Sequence, residues 1–155
     1  MASVEERLRR LEDLEEIRGV LEENARCLDT GDHAGYAALF TEDGVLAAQL
    51  GEAKGHDAIR DLLDARLKDD APPRRTSFHH VGNATIEVDG DRATSRVIWM
   101  FLTHDDAGYP LILQSGHYDD VLVRDGGRWR YERRTITRDF GFSPLDPNAN
   151  FGARA

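Results

Sequence analysis

The sequence predicts an α+β fold, a cone-shaped barrel in which a strongly curved antiparallel sheet packs on N-terminal helices. Two observations predict this class. Apolar residues recur at helical spacing before residue 68, and four strand-like segments separated by turn residues follow after residue 76. A curved sheet that wraps around helices leaves one end open, and that end gives a chain of 155 residues an interior pocket.

The first helix is predicted from a capping signal and a long amphipathic pattern. Ser3 followed by Glu6 matches the capping box, and apolar residues then recur every three or four positions as far as Leu28. Gly31 is a typical helix end. The first turns carry many charges, so we expect them to project from the domain or to pack on a second subunit.

Shorter elements follow the first helix. Asp32 is placed to cap a short second helix. Residues 41–44 are typical of a turn, 45–50 of a short strand and 56–67 of a third helix. The stretch 68–75 contains two prolines and several charges, which predicts a loop and a lid over the pocket.

Four strands complete the predicted domain. The pairs Asp89-Gly90 and Asp125-Gly126 are hairpin turn signals. The domain therefore covers residues 1–142, and an irregular tail covers residues 143–155. The predicted strands span residues 77–88, 92–103, 110–124 and 128–140.

Composition excludes several kinds of function. The net charge is −9, which argues against binding nucleic acid through its phosphates, and no apolar run approaches the length of about 18 residues that a membrane span needs. Cys27 is the single cysteine, so we expect neither an intrachain disulfide nor a cysteine metal site, and we interpret it as a small core residue. Without a secretory signal at its start, the sequence predicts a cytoplasmic protein.

Several short segments occur in an order that resembles a known family. They are 28–32, 39–44, His79 with Asn83 four residues later, 89–93, 116–119, and Trp129 with the arginines beyond it. The chain resembles the nuclear transport factor 2-like superfamily in its SnoaL-like, polyketide cyclase-like branch. The resemblance implies a cone-shaped fold in a homodimer or homotrimer, whose members include enzymes, binding proteins and structural subunits.

Within this superfamily the resemblance implies an acid–base site. Asp29 falls where scytalone dehydratase, bile-acid 7α-dehydratase and hexachlorocyclohexane dehydrochlorinase carry an aspartate, and His79 falls where the first and third carry a catalytic histidine. The bile-acid enzyme has a tyrosine and the dehydrochlorinase a lysine five residues before the aspartate, where this chain has Asn24. An asparagine can bond a substrate oxygen but cannot supply a proton. The likeness to the dehydrochlorinase extends to residues 142–145.

Strand parity leaves the identity of the pocket histidine open. His79 and His80 are neighbours, so they face opposite sides of a strand. His80 has the parity of the apolar residues Ile86 and Val88, which favours His80 as the inward residue, whereas a β-bulge near Gly82 would favour His79. The resemblance also favours His79, and His80 is the alternative.

Further candidates lie elsewhere in the chain. Arg134 and Arg138 are predicted to share one face of the last strand with Phe140, whereas Trp129 and Tyr131 face the other way. One of the two arginines is predicted to polarise a carbonyl or to receive a departing anion. No spacing of side chains indicates a metal site. The additional candidates for contact with the substrate are Tyr36, Trp99 and His117.

These features predict a cofactor-independent lyase of the dehydratase type. His79 would abstract a proton, Asp29 would orient the imidazole, and Arg134 or Arg138 with Asn24 would support developing negative charge. The expected substrate is an apolar ring-containing small molecule such as a steroid or a polyketide, and neither nucleic acid nor membrane is an expected partner. An isomerase or a cyclase would use the same parts, and a non-catalytic hydrophobic-ligand-binding protein or a structural subunit stays open.

Overall fold

A computed structural model describes residues 2–48, 51–67 and 77–141 of the protein. The predicted lid 68–75, the segment 142–145 and the tail 143–155 lie outside the described residues. The helices are α1 (Val4–Thr30), α2 (His33–Ala37) and α3 (His56–Leu67). The strands are β1 (Phe40–Ala48), β2 (Gly51–Lys54), β3 (Phe78–Asp89), β4 (Arg92–His104), β5 (Pro110–Asp125) and β6 (Arg128–Gly141).

The predicted α+β class is confirmed, with the helices packed on one sheet. The sheet has six strands in the order β2-β1-β6-β5-β4-β3. Strands β3 to β6 form the antiparallel meander that the turn signals predict. The sheet is mixed rather than purely antiparallel, because β1 pairs parallel to β6. Among the described strands β2 and β3 are edges that do not pair with each other, so the sheet is open.

The prediction of a turn at residues 41–44 is wrong, because these residues lie inside β1. The register between β1 and β6 shifts between Phe40 and Val45, so the polar segment is an irregular part of a strand. Gly44 permits it, because a Cβ at Gly44 would lie 2.9 Å from the backbone oxygen of Tyr131. The short strand β2, which pairs with β1, has too little pattern of its own to be predicted.

The two faces of the sheet differ in burial. We define the inner face as the one that packs on the helices, and it carries buried side chains such as Val97, Trp99 and Leu122. Ile17 of α1 and Ile59 of α3 belong to the same core. The outer face is the opposite one. Alternate residues of β4 such as Thr94, Arg96 and Ile98 are exposed there.

Helix α1 changes character along its length. Its capping box at Ser3 is present, and Val4, Leu8 and Leu11 are exposed, as the prediction of a projecting first segment requires. The projection ends at Asp13, which is buried and accepts a hydrogen bond from the Trp129 indole at 3.1 Å. The helix therefore joins the sheet about five turns before its end.

Candidate active site

The end of α1 meets the start of β3 through a carboxylate and an imidazole. The Asp29 Oδ1 atom lies 2.7 Å from Nδ1 of His79, and the backbone N–H of His79 also donates to both carboxylate oxygens, at 2.9 and 3.1 Å. Gly31 ends the helix in the left-handed conformation, with a φ of 68°, so Asp29 lies in the last turn of α1. The two residues predicted to meet across 50 positions of sequence therefore form a dyad.

The geometry of the dyad assigns the ring proton. An ionised carboxylate only accepts hydrogen bonds, so a neutral His79 ring carries its proton on Nδ1 and its lone pair on Nε2. The side chains of His79 and Asp29 are 20% and 25% exposed, which leaves the dyad half-buried and within reach of a small molecule. The Phe101 ring packs on the imidazole with its centroid 4.8 Å away.

The predicted bulge decides which histidine joins the inner face. Register between β3 and β4 shifts between Gly82 and Thr85, and Asn83 adopts a φ of 53° there. Because of this shift His79 has the same parity of burial as Ile86, whereas His80 is exposed on the other side. The structure therefore places His79, and not His80, beside Asp29.

Arg134 lies at the centre of a sealed polar network on the inner face. Its guanidinium donates to both carboxylate oxygens of Asp120 at 2.7 Å, to the Tyr131 hydroxyl at 2.7 Å and to the Asn24 side-chain oxygen. Ser95 donates to the same Asp120 carboxylate at 3.0 Å. Burial lowers the pKa of Arg134, but the adjacent Asp120 charge more than offsets this, so the pKa lies above its ordinary value.

This network corrects two parts of the prediction. The face assignment was wrong, because the register between β5 and β6 shifts beside residue 132 and places Tyr131 on the same inner face as Arg134. Asp120 was also missed, although it alternates with the core residues Tyr118 and Leu122, and that alternation is the signal that could have found it. Arg134 is completely buried and bonded on several sides, so it has no free surface to offer a substrate.

The network ties α1 to the sheet. Asn24 lies five residues before Asp29 and is fully buried, and its side-chain oxygen accepts from Arg134. No described residue accepts a hydrogen bond from its side-chain nitrogen. We interpret Asn24 and Arg134 as residues that fix the position of α1 on the sheet, and with it the position of Asp29.

The aromatic candidates Tyr36 and Trp99 belong to the buried core of the inner face. Tyr36 is 1% exposed and Trp99 is 5% exposed, so each contributes packing more than surface. The Trp99 ring stacks on Tyr118 with centroids 5.8 Å apart, and its indole N–H donates to the backbone oxygen of Thr137 at 3.3 Å. Gly116 on β5 permits this hydrogen bond, because a Cβ at Gly116 would collide with the backbone oxygen of Thr137.

One end of the inner face is more open than the rest. We call it the dyad end and define it by His79, Phe101, Gln114 and Arg138, which lie in neighbouring cross-strand rows. All four are partly buried, whereas Arg134 deeper on the same strand is fully buried. Arg138 therefore lies on the inner face at a depth that a ligand of the dyad can reach.

His117 does not join the dyad. It pairs with Ile98 on the outer face, and its Nδ1 atom lies 2.8 Å from a carboxylate oxygen of Asp139. The prediction that His117 contributes to the same pocket is therefore wrong. The reason is strand parity, because His117 alternates with the inner residues Gly116 and Tyr118.

A shallow groove of about 390 Å³ also lies away from the dyad. Its floor is the outer face, and its walls include the exposed ion pair between Arg96 and Asp119. Within the described ranges no three His, Cys, Asp or Glu side chains converge as a metal site would require. None of the helices in those ranges is long and apolar enough to cross a lipid bilayer.

Comparison with known proteins decides the family. The model of the SnoaL-like domain matches residues 9–135, which is most of the chain. The chain belongs to the SnoaL-like family. Three solved structures give this SnoaL-like chain its structural context, and no curated protein matches it.

Each of the three structures shares the fold over most of its length. A nuclear transport factor 2-like protein with a cystatin-like fold from Novosphingobium aromaticivorans is 30% identical, with a TM-score of 0.75 over 96% of this SnoaL-like chain and 94% of that chain. ActVI-ORFA of Streptomyces coelicolor is 30% identical, with a TM-score of 0.70 over 84% and 97%. A candidate scytalone dehydratase from Novosphingobium aromaticivorans is 25% identical, with a TM-score of 0.70 over 84% and 87%.

Proposed function

We propose that the protein is a cofactor-independent lyase of the dehydratase type that acts on an apolar ring-containing small molecule such as a steroid or a polyketide. The observation that carries the proposal is the 2.7 Å contact between Asp29 and Nδ1 of His79, which leaves Nε2 as a base. The likeness to a candidate scytalone dehydratase supports the same reaction class.

The reaction follows from the arrangement of the dyad. Nε2 of His79 takes a proton from a carbon of the substrate, and the electron pair of that C–H bond forms a double bond as the neighbouring C–O bond breaks. The imidazolium returns its proton to the departing hydroxide, which leaves as water. Asp29 stabilises the imidazolium through the Nδ1 proton and holds the ring in place.

The two arginines take different parts in this scheme. Arg134 and Asn24 position α1, because both are sealed in the network with Asp120. Among the described residues, Arg138 is the inner-face cation that remains to meet negative charge on the substrate. Phe101 supplies apolar surface at the imidazole, and Tyr36 and Trp99 belong to the core under the inner face.

A turnover screen with paired histidine variants tests the proposal. A panel of hydroxylated steroids, polyketides and bicyclic aromatics is incubated with the protein, and loss of water is followed by mass spectrometry. We expect Asp29→Asn and His79→Gln to lose turnover, while His80→Gln, which changes the exposed neighbour, keeps it. Equal turnover by wild type and His79→Gln would refute the dyad mechanism.

Other products from the same screen would redirect the assignment. A rearranged product of unchanged mass indicates an isomerase or a cyclase, in which the proton returns to another carbon or a new ring bond forms. Ligands that raise the melting temperature without any conversion indicate a binding protein. If no compound binds and none is converted, the result indicates a structural subunit.

We also propose that the protein self-associates through its outer face, in a homodimer or homotrimer. Phe78 and Ile112 lie in one cross-strand row and are 52% and 56% exposed, and Ile98 and Phe140 are exposed nearby. Exposed apolar patches of this kind mark contact surfaces. Sedimentation should give a mass above the 17.4 kDa of one chain, and Ile112→Asp should reduce it.

A further inference from the structure

Two arginines share the inner face of β6 but differ in charge balance. Arg134 pairs with Asp120 through two contacts of 2.7 Å, so the pair is neutral as a unit. The side chain of Arg138, four residues further along the same face, makes neither a hydrogen bond nor an ion pair with any of the described residues. Among the described residues of the dyad end, Arg138 is therefore a cation that no carboxylate pairs with.

The surroundings of Arg138 make an unpaired cation unfavourable. Its side chain is partly buried, and the partly buried apolar side chains Ile136 and Phe101 belong to the same face. A guanidinium that has lost part of its water gains most from an oxygen anion, because the planar fork donates two parallel hydrogen bonds to a carboxylate.

We infer that Arg138 binds an ionised carboxylate that the substrate carries before it reacts. This inference rests on the proposed function and narrows its substrate class to apolar ring compounds with a carboxylate at one end. Arg138 then anchors the substrate, and the bonds that change lie at the other end, beside His79.

Strand positions support the separation of anchor and reacting atoms. His79 is on β3 and Arg138 is on β6, with β4 and β5 between them. Neighbouring strands lie about 4.8 Å apart, so three spacings amount to roughly 14 Å along the sheet. Arg138 is in the row of Gly116 and Trp99, next to the row of His79 and Phe101. A ring system with a carboxylate at one end fits a gap of this order.

The overall charge makes carboxylate selectivity a specific signal. At a net charge of −9 the protein repels anions at long range, so a preference for an anionic ligand must come from a local cation. Arg134 cannot provide it, because its charge is already matched by Asp120.

Calorimetric titration with two matched probes tests the inference. Naphthoate carries a carboxylate on an apolar bicyclic ring, and naphthamide has almost the same shape without the charge. We expect wild type to bind naphthoate about tenfold more tightly than naphthamide, as a charge-assisted hydrogen bond implies. Arg138→Gln should bring the ratio close to one. Arg128→Gln removes the same charge at the exposed start of β6 and should leave the ratio unchanged.

The outcomes separate this inference from the proposed function. Equal affinity for the two probes in wild type, no binding of either, or a preserved preference in Arg138→Gln would overturn the carboxylate site. Asp29→Asn and His79→Gln should keep the preference for naphthoate, because the anchor does not depend on catalysis. A true substrate without an acidic group, for which Arg138→Gln lowers kcat and leaves KM unchanged, would assign Arg138 to the transition state and overturn the inference.

Discussion

Replacing Arg134 by methionine tests how far the buried network holds the fold. The side chain is completely buried, and its loss leaves the Asp120 carboxylate, itself 3% exposed, with a hydrogen bond from Ser95 but no cation. Removing one partner of a buried ion pair costs about 3–5 kcal/mol, because the remaining charge is desolvated and unmatched. We expect Arg134→Met to lower the free energy of unfolding by about this amount.

Urea unfolding followed by circular dichroism and tryptophan fluorescence measures this change. The double variant Arg134→Met with Asp120→Leu removes both charges and should recover most of the loss, since a buried ion pair is often replaceable by apolar side chains. Arg96→Met breaks the exposed pair with Asp119 and serves as a control that should hardly change the unfolding midpoint. A loss in Arg134→Met no larger than in Arg96→Met would refute the account of the network.

Three further predictions concern packing and titration. Gly116→Ala should lower the free energy of unfolding in urea by about 1–3 kcal/mol, because the added Cβ would lie 2.9 Å from Cα of Arg138. Gly19→Ala, in open space on α1, should raise the free energy of unfolding by about 0.5–1 kcal/mol. The reverse order of stability would contradict the packing. Burial raises the pKa of the Cys27 thiol to about 11. A disulfide reagent at pH 8 should therefore react slowly with the native protein and rapidly with the urea-unfolded protein. Rapid reaction with the native protein would contradict the burial of Cys27. Burial also raises the pKa of the Tyr36, Tyr118 and Tyr131 phenols, so above pH about 10 the unfolded chain ionises first and the free energy of unfolding should fall as pH rises. Urea unfolding at a series of pH values measures this fall, and a free energy of unfolding that rises above pH about 10 would contradict it.

Elements with a regular period could be predicted from sequence. Helix α3 spans the predicted 56–67, and α1 ends where Gly31 indicates. The strands of the meander begin and end within a residue or two of their predicted limits, because the glycine turns between them are local signals. Pairing partners far apart in sequence are a different matter. Neither segment has a sequence pattern that indicates the parallel pairing of β1 with β6, so the mixed sheet could not be predicted.

The candidate site could be predicted only in part, because its contacts also join residues far apart in sequence. The approach of Asp29 and His79 followed from the family resemblance, with the bulge at Asn83 as the condition that strand parity required. The burial of Arg134 with Tyr131 depends on a second shift of register that has no glycine or proline to mark it. The prediction that His117 lines the pocket was wrong, because a histidine next to a buried tyrosine on a strand must face the other way.

Release of a hydrogen label from the substrate measures the central step most directly. With the compound found by the turnover screen labelled with deuterium at the carbon beside Nε2 of His79, wild-type protein should pass the label to water, because the imidazolium hands it to the departing hydroxide. A well-placed general base contributes about 10²–10⁴-fold, so His79→Gln should slow label release by at least about 100-fold, while His80→Gln leaves it unchanged. Label release by His79→Gln at the wild-type rate would show that the dyad does not move the proton.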